Sequence, residues 1–313
     1  MKKVLITGGA GFIGSHLGDF LLKKGYHLTA IDNLSWGKKE FISHNLTNPR
    51  FKFIKADLLN YKDLLNVLDS QIDTVFHLAA NSDIMRGAID PSIDFKNTTQ
   101  ATFNILEVMR KKGIKKIFYT SGSGVYGDIG KKKIPENYGP LLPISMYGAT
   151  KLSAEAMISS FVNLYDFQAW MIRPANIIGS RATHGVIYDF INRLKKDPSK
   201  LDILGNGKQN KSYLYITDVI NAIDLIWMRD KSRISIYNVA SDSTITVNQI
   251  ARMVLKEMCL KQVKINHSMG DRGWKGDVPI ISLTNSKLSS IGWKYQYSSK
   301  QAVRKTVQSL LIN

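Results

Sequence analysis

Cys259 is the only cysteine among 313 residues. A lone thiol excludes an intrachain disulfide and a cysteine-based zinc site, and it predicts a reducing, cytoplasmic setting. The six histidines, at 16, 27, 44, 77, 184 and 267, show no HExxH or comparable ligand spacing, so no metal site is expected. Long apolar runs are missing too, which leaves no segment able to span a bilayer and no membrane partner. The opening MKKVLITGGAGF imitates a signal peptide, but its apolar run stops at Thr7 and the glycines; a buried first strand explains it better. Acidic residues are scarce, 25 against 43 basic ones, giving a net charge of +18. The basic residues are spread along the chain, with Lys131 to Lys133 as the longest run, and neither a basic helix nor a basic stripe marks a nucleic-acid surface. No nucleic-acid partner is expected. The charge fits instead a basic, solvated surface that helps to attract an anionic ligand.

What is present is ordinary globular material, 44% apolar and 22% charged, enough for one large or two closely joined domains. Strands are predicted at Val4–Thr7, Leu28–Asp32, Phe51–Lys55, Thr74–Leu78, Lys116–Ser121 and Ala169–Arg173. Helices are predicted at Phe12–Lys24, Tyr61–Leu68, Thr98–Lys112 and Tyr147–Leu164. Such alternation implies right-handed crossovers and an α/β, doubly wound parallel sheet of the Rossmann type. After Arg173 the rhythm breaks, and helices are predicted near Thr217–Met228, Val247–Lys261 and Ser299–Leu311. The expected division is a sheet domain over residues 1–173, with 212–240 returning to it. Residues 174–211 and 241–313 would form a smaller carboxyl-terminal, substrate-binding lobe.

The segment GGAGFIG, Gly8 to Gly14, follows the first strand and opens the first helix. Its glycines, read from either Gly8 or Gly9 through Gly11 to Gly14, permit a tight turn and close approach of backbone to a pyrophosphate. The helix beyond offers that phosphate free N–H groups and its positive dipole end. About twenty residues on, Asp32 ends the second strand, where a carboxylate accepts from ribose hydroxyls and repels a 2′-phosphate. NAD is therefore the predicted cofactor rather than NADP. Phe12, Ile13 and Asn33 join these contacts, and Asp57 with Leu58, ending the third strand, is placed to meet the adenine edge.

Tyr147 and Lys151, in YGATKLSAEA, stand four apart and share one helix face; no other tyrosine of the chain has lysine at that offset. They follow the fifth strand, whose end carries TSGSGVYG (120–127). With TGGAGFIGSHL, KADL, HLAA (77–80), RPANIIG (173–179) and DRGWKGDVP (271–279), these pieces run nearly the full length. In that order they resemble the extended short-chain dehydrogenase/reductase family, specifically its nucleotide-sugar epimerases and dehydratases. The resemblance implies that Tyr147 is the catalytic base, its phenolate favoured by Lys151 and by the nicotinamide. It also implies that Lys151 holds the nicotinamide ribose and that Pro174, Leu78, Ala79 and Ala80 line the cofactor groove. Asn176 would bind the substrate's diphosphate. A homodimer is implied through helices 98–112 and 147–164.

Three departures stand out. Relatives carry serine or threonine three residues before the valine of VYG, where this chain has Gly122; Ser121, Ser123 or a water must serve instead. The asparagine that relatives carry six residues before Asn104 is Thr98 here, with Asn97 beside it. The arginine that grips the diphosphate is Lys211, which keeps charge but loses the two-pronged fork; Arg272 is the other candidate phosphate ligand. Dehydratases carry aspartate and glutamate directly before VYG, at places held here by Ser123 and Gly124. The expected activity is thus NAD-dependent 4-epimerisation of a UDP-hexose or UDP-hexuronate. The alternatives are a 4-ketoreductase or dehydratase of the same family, or a non-catalytic nucleotide- or RNA-binding scaffold.

Overall fold

The computed structural model describes every residue except Met1, Met269, Lys275 and Asn313, so Lys275 of the 271–279 stretch lies outside the described residues. Seven strands form one parallel sheet: β1 (Lys3–Thr7), β2 (His27–Asp32), β3 (Phe51–Lys55), β4 (Ile72–His77), β5 (Lys116–Thr120), β6 (Gln168–Pro174) and β7 (Ile234–Val239). Their order across the sheet is β7-β6-β5-β4-β1-β2-β3. The order reverses between β1 and β4, and the crevice beyond the carboxyl ends of these two strands is where ligands of such sheets sit.

Side-chain alternation along the strands builds two cores. Val4 and Ile6 of β1 pack with Leu17 and Leu21 of α1 (Phe12–Lys23). Leu5, pointing the other way, packs with the helices of the opposite face. These are α2 (Tyr61–Val67), α5 (Ala101–Lys112) and α6 (Met146–Tyr165), while the short α3 (Ile84–Ile89) and α4 (Pro91–Asp94) follow β4 outside this core. Each fully buried aliphatic or aromatic side chain adds roughly 1.5–3 kcal/mol, so both faces contribute.

Beyond β6 lie α7 (Val186–Lys196), α8 (Ile216–Arg229), α9 (Val247–Glu257), α10 (Ser286–Ser290) and α11 (Ser299–Ile312). Helix α8 packs beside α1, and β7 pairs in register with β6 from Ile234↔Ala169 to Val239↔Pro174. The apolar alternation in ISIYNV marks β7; neither this strand nor α7 is among the elements expected from sequence. Short strands surround the crevice on this side: Asn176–Ile178 pairs with Tyr213–Tyr215, and Asn210–Lys211 with Ile245–Thr246 and Ile280–Leu283. The helix expected to reach Lys261 stops at Glu257, because Cys259 turns left-handed (φ 58°). The helix expected from Thr98 begins instead as a π-turn over Phe95–Gln100.

Candidate active site

A cavity of about 1070 Å³ opens at the carboxyl ends of β1 and β4. Its floor is the glycine turn. Gly8 takes a left-handed backbone (φ 70°), and the N–H groups of Gly8 and Gly9 both donate to the Ile31 carbonyl of β2. A Cβ on Gly14 would overlap the Gly8 carbonyl oxygen, so α1 approaches the turn as closely as backbone allows. Gly11 caps α1 without a side-chain acceptor, and the first turn holds no acid. The first N–H groups of the helix are therefore free for an anion.

Asp32 is buried beside this turn. One carboxylate oxygen accepts from Ala10 N (3.0 Å) and the other from Leu34 N (2.8 Å). Burial raises its pKa and the two N–H groups pull it back. Each oxygen keeps acceptor capacity for a ribose hydroxyl. Phe12, Ile13, Asn33, Asp57, Leu58, Leu78, Ala79 and Ala80 all line the same cavity. Asn33 donates to Asp57 (3.0 Å), joining the ends of β2 and β3. A buried chain of bonds fixes the opposite wall: His77 meets Thr7 (2.7 Å) and Thr102 (3.0 Å), and Ala79 N donates to the Thr7 hydroxyl. Burial, with Lys151 nearby, pushes His77 down to about 3, so it is a neutral strut. The free helix terminus, the glycine cradle and the Asp32 carboxylate together fit a dinucleotide.

Thr98 does not reach this cavity. It is fully buried, its hydroxyl has no partner among the described residues, and the preceding Asn97 lines the wall instead. The π-turn is the reason, since it widens the helix and shifts the residues it contains out of α-helical phase.

Helix α6 carries Tyr147 and Lys151 into the cavity, with Ser145 capping its first turn through Gly148 N (3.1 Å). Lys151 is 3% exposed, donates to the Thr120 carbonyl (2.7 Å) and lies 5.8 Å from the Tyr147 ring centre. Burial pushes the lysine down to about 8, against the pull of Glu155 and Asp94. Burial pushes the Tyr147 phenol up to about 12, and Asp94 adds to the rise. In the chain alone Tyr147 is therefore a neutral phenol at pH 7.

The loop after β5 faces this pair. A Cβ on Gly122 would stand 3.3 Å from the Tyr147 hydroxyl. Ser121 and Ser123 both line the cavity, but differently: the Ser121 hydroxyl is sealed from solvent and unpartnered among the described residues, whereas Ser123 is half-exposed. Asp94, which no spacing in the sequence flagged, is wholly buried behind the pair. Asn81 donates to one of its oxygens (2.8 Å), and a Cβ on Gly87 would overlap the other.

On the far wall lie Pro174, Asn176 and Lys211. Asn176 donates to the Ser212 carbonyl (3.2 Å), and Lys211 forms an ion pair with Asp277 (2.6 Å). Arg272 is not on the wall; its guanidinium pairs with Asp128 (2.6 Å) and the Asp277 carbonyl (2.9 Å). Both expected phosphate cations thus already face carboxylates, pairings between segments far apart in the chain. The N-terminus of α7, capped by Gly185 (φ 96°) without a side-chain acceptor, opens on the same side. Among the described residues no group of three or more His, Cys, Asp or Glu could hold a metal. Nor is any helix among them long and apolar enough to cross a membrane.

Comparison with known proteins agrees with this geometry. The chain is 32% identical over 312 residues to a putative UDP-glucose 4-epimerase of Methanocaldococcus jannaschii, covering 97% of each. Its fold superposes on the crystal structure of a UDP-galactose 4-epimerase with a TM-score of 0.88, at 35% identity and 99% coverage of both chains. The UDP-glucose 4-epimerase of Thermus thermophilus, solved in complex with NAD, matches with a TM-score of 0.88 at 27% identity, again over 99% of both. Residues 4–240 match the family model that describes NAD dependent epimerases and dehydratases, so the glycine turn, Asp32 and the Tyr147–Lys151 helix stand in a chain that belongs to the NAD dependent epimerase/dehydratase family.

Proposed function

We propose that the protein is a 4-epimerase acting on a UDP-activated hexose or hexuronate. The observation that carries this choice within the family is the loop facing Tyr147. Ser123 and Gly124 precede Val125, so the loop offers no acid pair to expel water from the sugar, while Gly122 and Gly124 place bare backbone, with no side chain, against the tyrosine.

Tyr147 first gives up its own proton to solvent, the phenolate being favoured by the Lys151 ammonium and by the positive nicotinamide of NAD when bound. The phenolate then takes the proton of the sugar's 4-hydroxyl and later returns it. NAD, when bound, supplies the acceptor and then the donor of the hydride at carbon 4. Because burial holds Tyr147 up at about 12, the proton moves only with a compensating positive charge close by, which the Lys151 ammonium provides. Ser123, the open hydroxyl of the loop, holds the sugar oxygen; Ser121 is sealed behind it. Asn176 and Lys211, the latter shared with Asp277, hold the diphosphate on the far wall, and the 4-keto sugar turns within the cavity. In this reading residues 1–173 and 212–240 serve the cofactor, and 174–211 and 241–313 serve the nucleotide sugar. Phe103 and Leu164, exposed on α5 and α6, cover one another's counterparts in a homodimer. The single reduced thiol fits a cytoplasmic enzyme.

Incubation with UDP-glucose, UDP-galactose, UDP-N-acetylglucosamine and UDP-glucuronate, followed by NMR of the anomeric protons, tests the proposal. Interconversion of 4-epimers without net use of NAD(H) is expected. A dehydrated 4-keto product, or stoichiometric consumption of added NAD(P)H, would overturn it.

A further inference from the structure

Four basic side chains line the cavity among the described residues: Arg86, Lys151, Arg193 and Lys211. Three are engaged. Lys151 donates to the Thr120 carbonyl, Arg193 to the Asp202 carbonyl (2.8 Å), and Lys211 pairs with Asp277. The Arg86 guanidinium makes no hydrogen bond or ion pair among the described residues; its contact is the face of Trp36, whose ring centre lies 6.0 Å away. Trp36 is in turn an exposed tryptophan on the same wall. An exposed indole and an unpaired guanidinium, stacked on each other over a cavity built for phosphates, call for a ligand that uses both.

Their places in the fold say which. Trp36 belongs to the loop after β2 and Arg86 to α3 after β4, and these two strands flank β1 on either side. The pair therefore meets across the glycine turn that follows β1. The loop bearing Trp36 is pinned at both ends: Leu34 N donates to Asp32 (2.8 Å) and Lys38 N to the Ala10 carbonyl of the turn (3.0 Å). Between them Gly37 lies flat on Asp32, where a Cβ would come within 2.7 Å of both carboxylate oxygens. Trp36 is thus fixed at the apex of a short, anchored loop. Arg86 is fixed at its backbone, where Asp83 accepts its N–H (3.0 Å) as the cap of α3, while its side chain is free to swing.

We propose that Arg86 and Trp36 form a clasp that closes over the bound dinucleotide, with Arg86 gripping its diphosphate from above and Trp36 holding the guanidinium flat for that grip. The glycine turn neutralises the diphosphate from one side through backbone N–H groups, and the clasp supplies the full positive charge that the turn lacks. Such a clasp slows release of the cofactor, which suits an enzyme that recycles its dinucleotide in place.

Titration of cofactor-stripped, full-length protein with NAD, and separately with UDP, tests the clasp. Loss of a charge-assisted contact should weaken NAD about 10- to 100-fold in Arg86→Gln and leave UDP binding unchanged. Arg86→Lys, which keeps charge but loses the stack, should fall between. Trp36→Leu should weaken NAD roughly three- to tenfold, and the double variant should be no worse than Arg86→Gln alone, since the two act as one unit. NAD affinity within twofold of the parent in Arg86→Gln, at an unchanged melting temperature, would overturn the clasp. So would a loss confined to UDP. Failure of the parent protein itself to bind NAD would instead refute the dinucleotide site, a separate outcome.

Discussion

Gly122 lies against the hydroxyl of Tyr147, so close that a Cβ there would stand 3.3 Å from it and 3.5 Å from Cε1. The Gly122 backbone is extended (φ −173°) and accepts any residue, so substitution tests the space and not the chain. Gly122→Ala should fold with an unchanged melting temperature and bind NAD as before. Its kcat should fall about tenfold or more, because pushing a reacting oxygen by a fraction of an ångström misaligns proton transfer. An unchanged kcat would mean that the Tyr147 hydroxyl does not react where it now lies.

The pH profile follows from Lys151. Its ordinary value of 10.5 is pushed down to about 8 by burial, so the ammonium is present below that pH and lost as pH rises through it. Tyr147, pushed up to about 12 in the chain alone, depends on that ammonium to become a phenolate. The kcat/KM of the enzyme should therefore decline above about pH 8, and Lys151→Arg should move the decline to higher pH while lowering the plateau. The same depression makes the unfolded chain bind more protons between about 8 and 10.5, so this lysine makes stability rise with pH across that window. Initial rates from about pH 6 to 10, with denaturant melts at both ends, measure the two effects together.

How much of this is legible in the sequence depends on range. The sheet strands from β1 to β6, the glycine turn, Asp32 and the Tyr147–Lys151 pair are local patterns, fixed by alternation and spacing within a few residues. Thr98 falls elsewhere because an α-helical count does not carry through a π-turn, and no residue type in FKNTTQ announces that extra width. Ser121 and Ser123 are indistinguishable as letters; only burial separates the sealed hydroxyl from the open one. Lys211 and Arg272 look like free cations in sequence, but their carboxylates, Asp277 and Asp128, come from far along the chain or from across the fold. Asp94, Trp36 and Arg86 owe their interest wholly to tertiary placement.

The exposed side chains on the two helices of the outer face give a test of assembly. Phe103 of α5 is 48% exposed and Leu164 of α6 is 69% exposed. Large apolar side chains left in water on adjacent helices are suited to an interface. If the proposed dimer forms, light scattering should find the parent at twice the chain mass and the Phe103→Glu, Leu164→Glu double variant at the mass of one chain. A monomeric parent at high concentration would remove the dimer from the proposal without touching the active site.

Stability of the catalytic helix should depend on an ion pair buried beneath it. Glu155 of α6 and Arg173 of β6 meet in a two-pronged contact (2.9 and 2.6 Å), with side-chain exposures of 5% and 3%. Arg173 also donates to the Tyr126 hydroxyl (2.9 Å), which donates in turn to Asn238 of β7 (2.8 Å). The network ties α6 to the sheet and to the loop that faces Tyr147. Arg173→Met removes one partner and strands a buried carboxylate, which should cost about 3–5 kcal/mol in urea unfolding. Pairing it with Glu155→Leu removes the stranded charge and should recover much of that loss, because two apolar groups of similar volume need no partner in the interior. The double variant should nonetheless stay slow, since Glu155 also supports the Lys151 ammonium and its loss should bring the alkaline decline of kcat/KM to lower pH. Full activity with an unshifted profile in the double variant would show that Glu155 serves the fold alone.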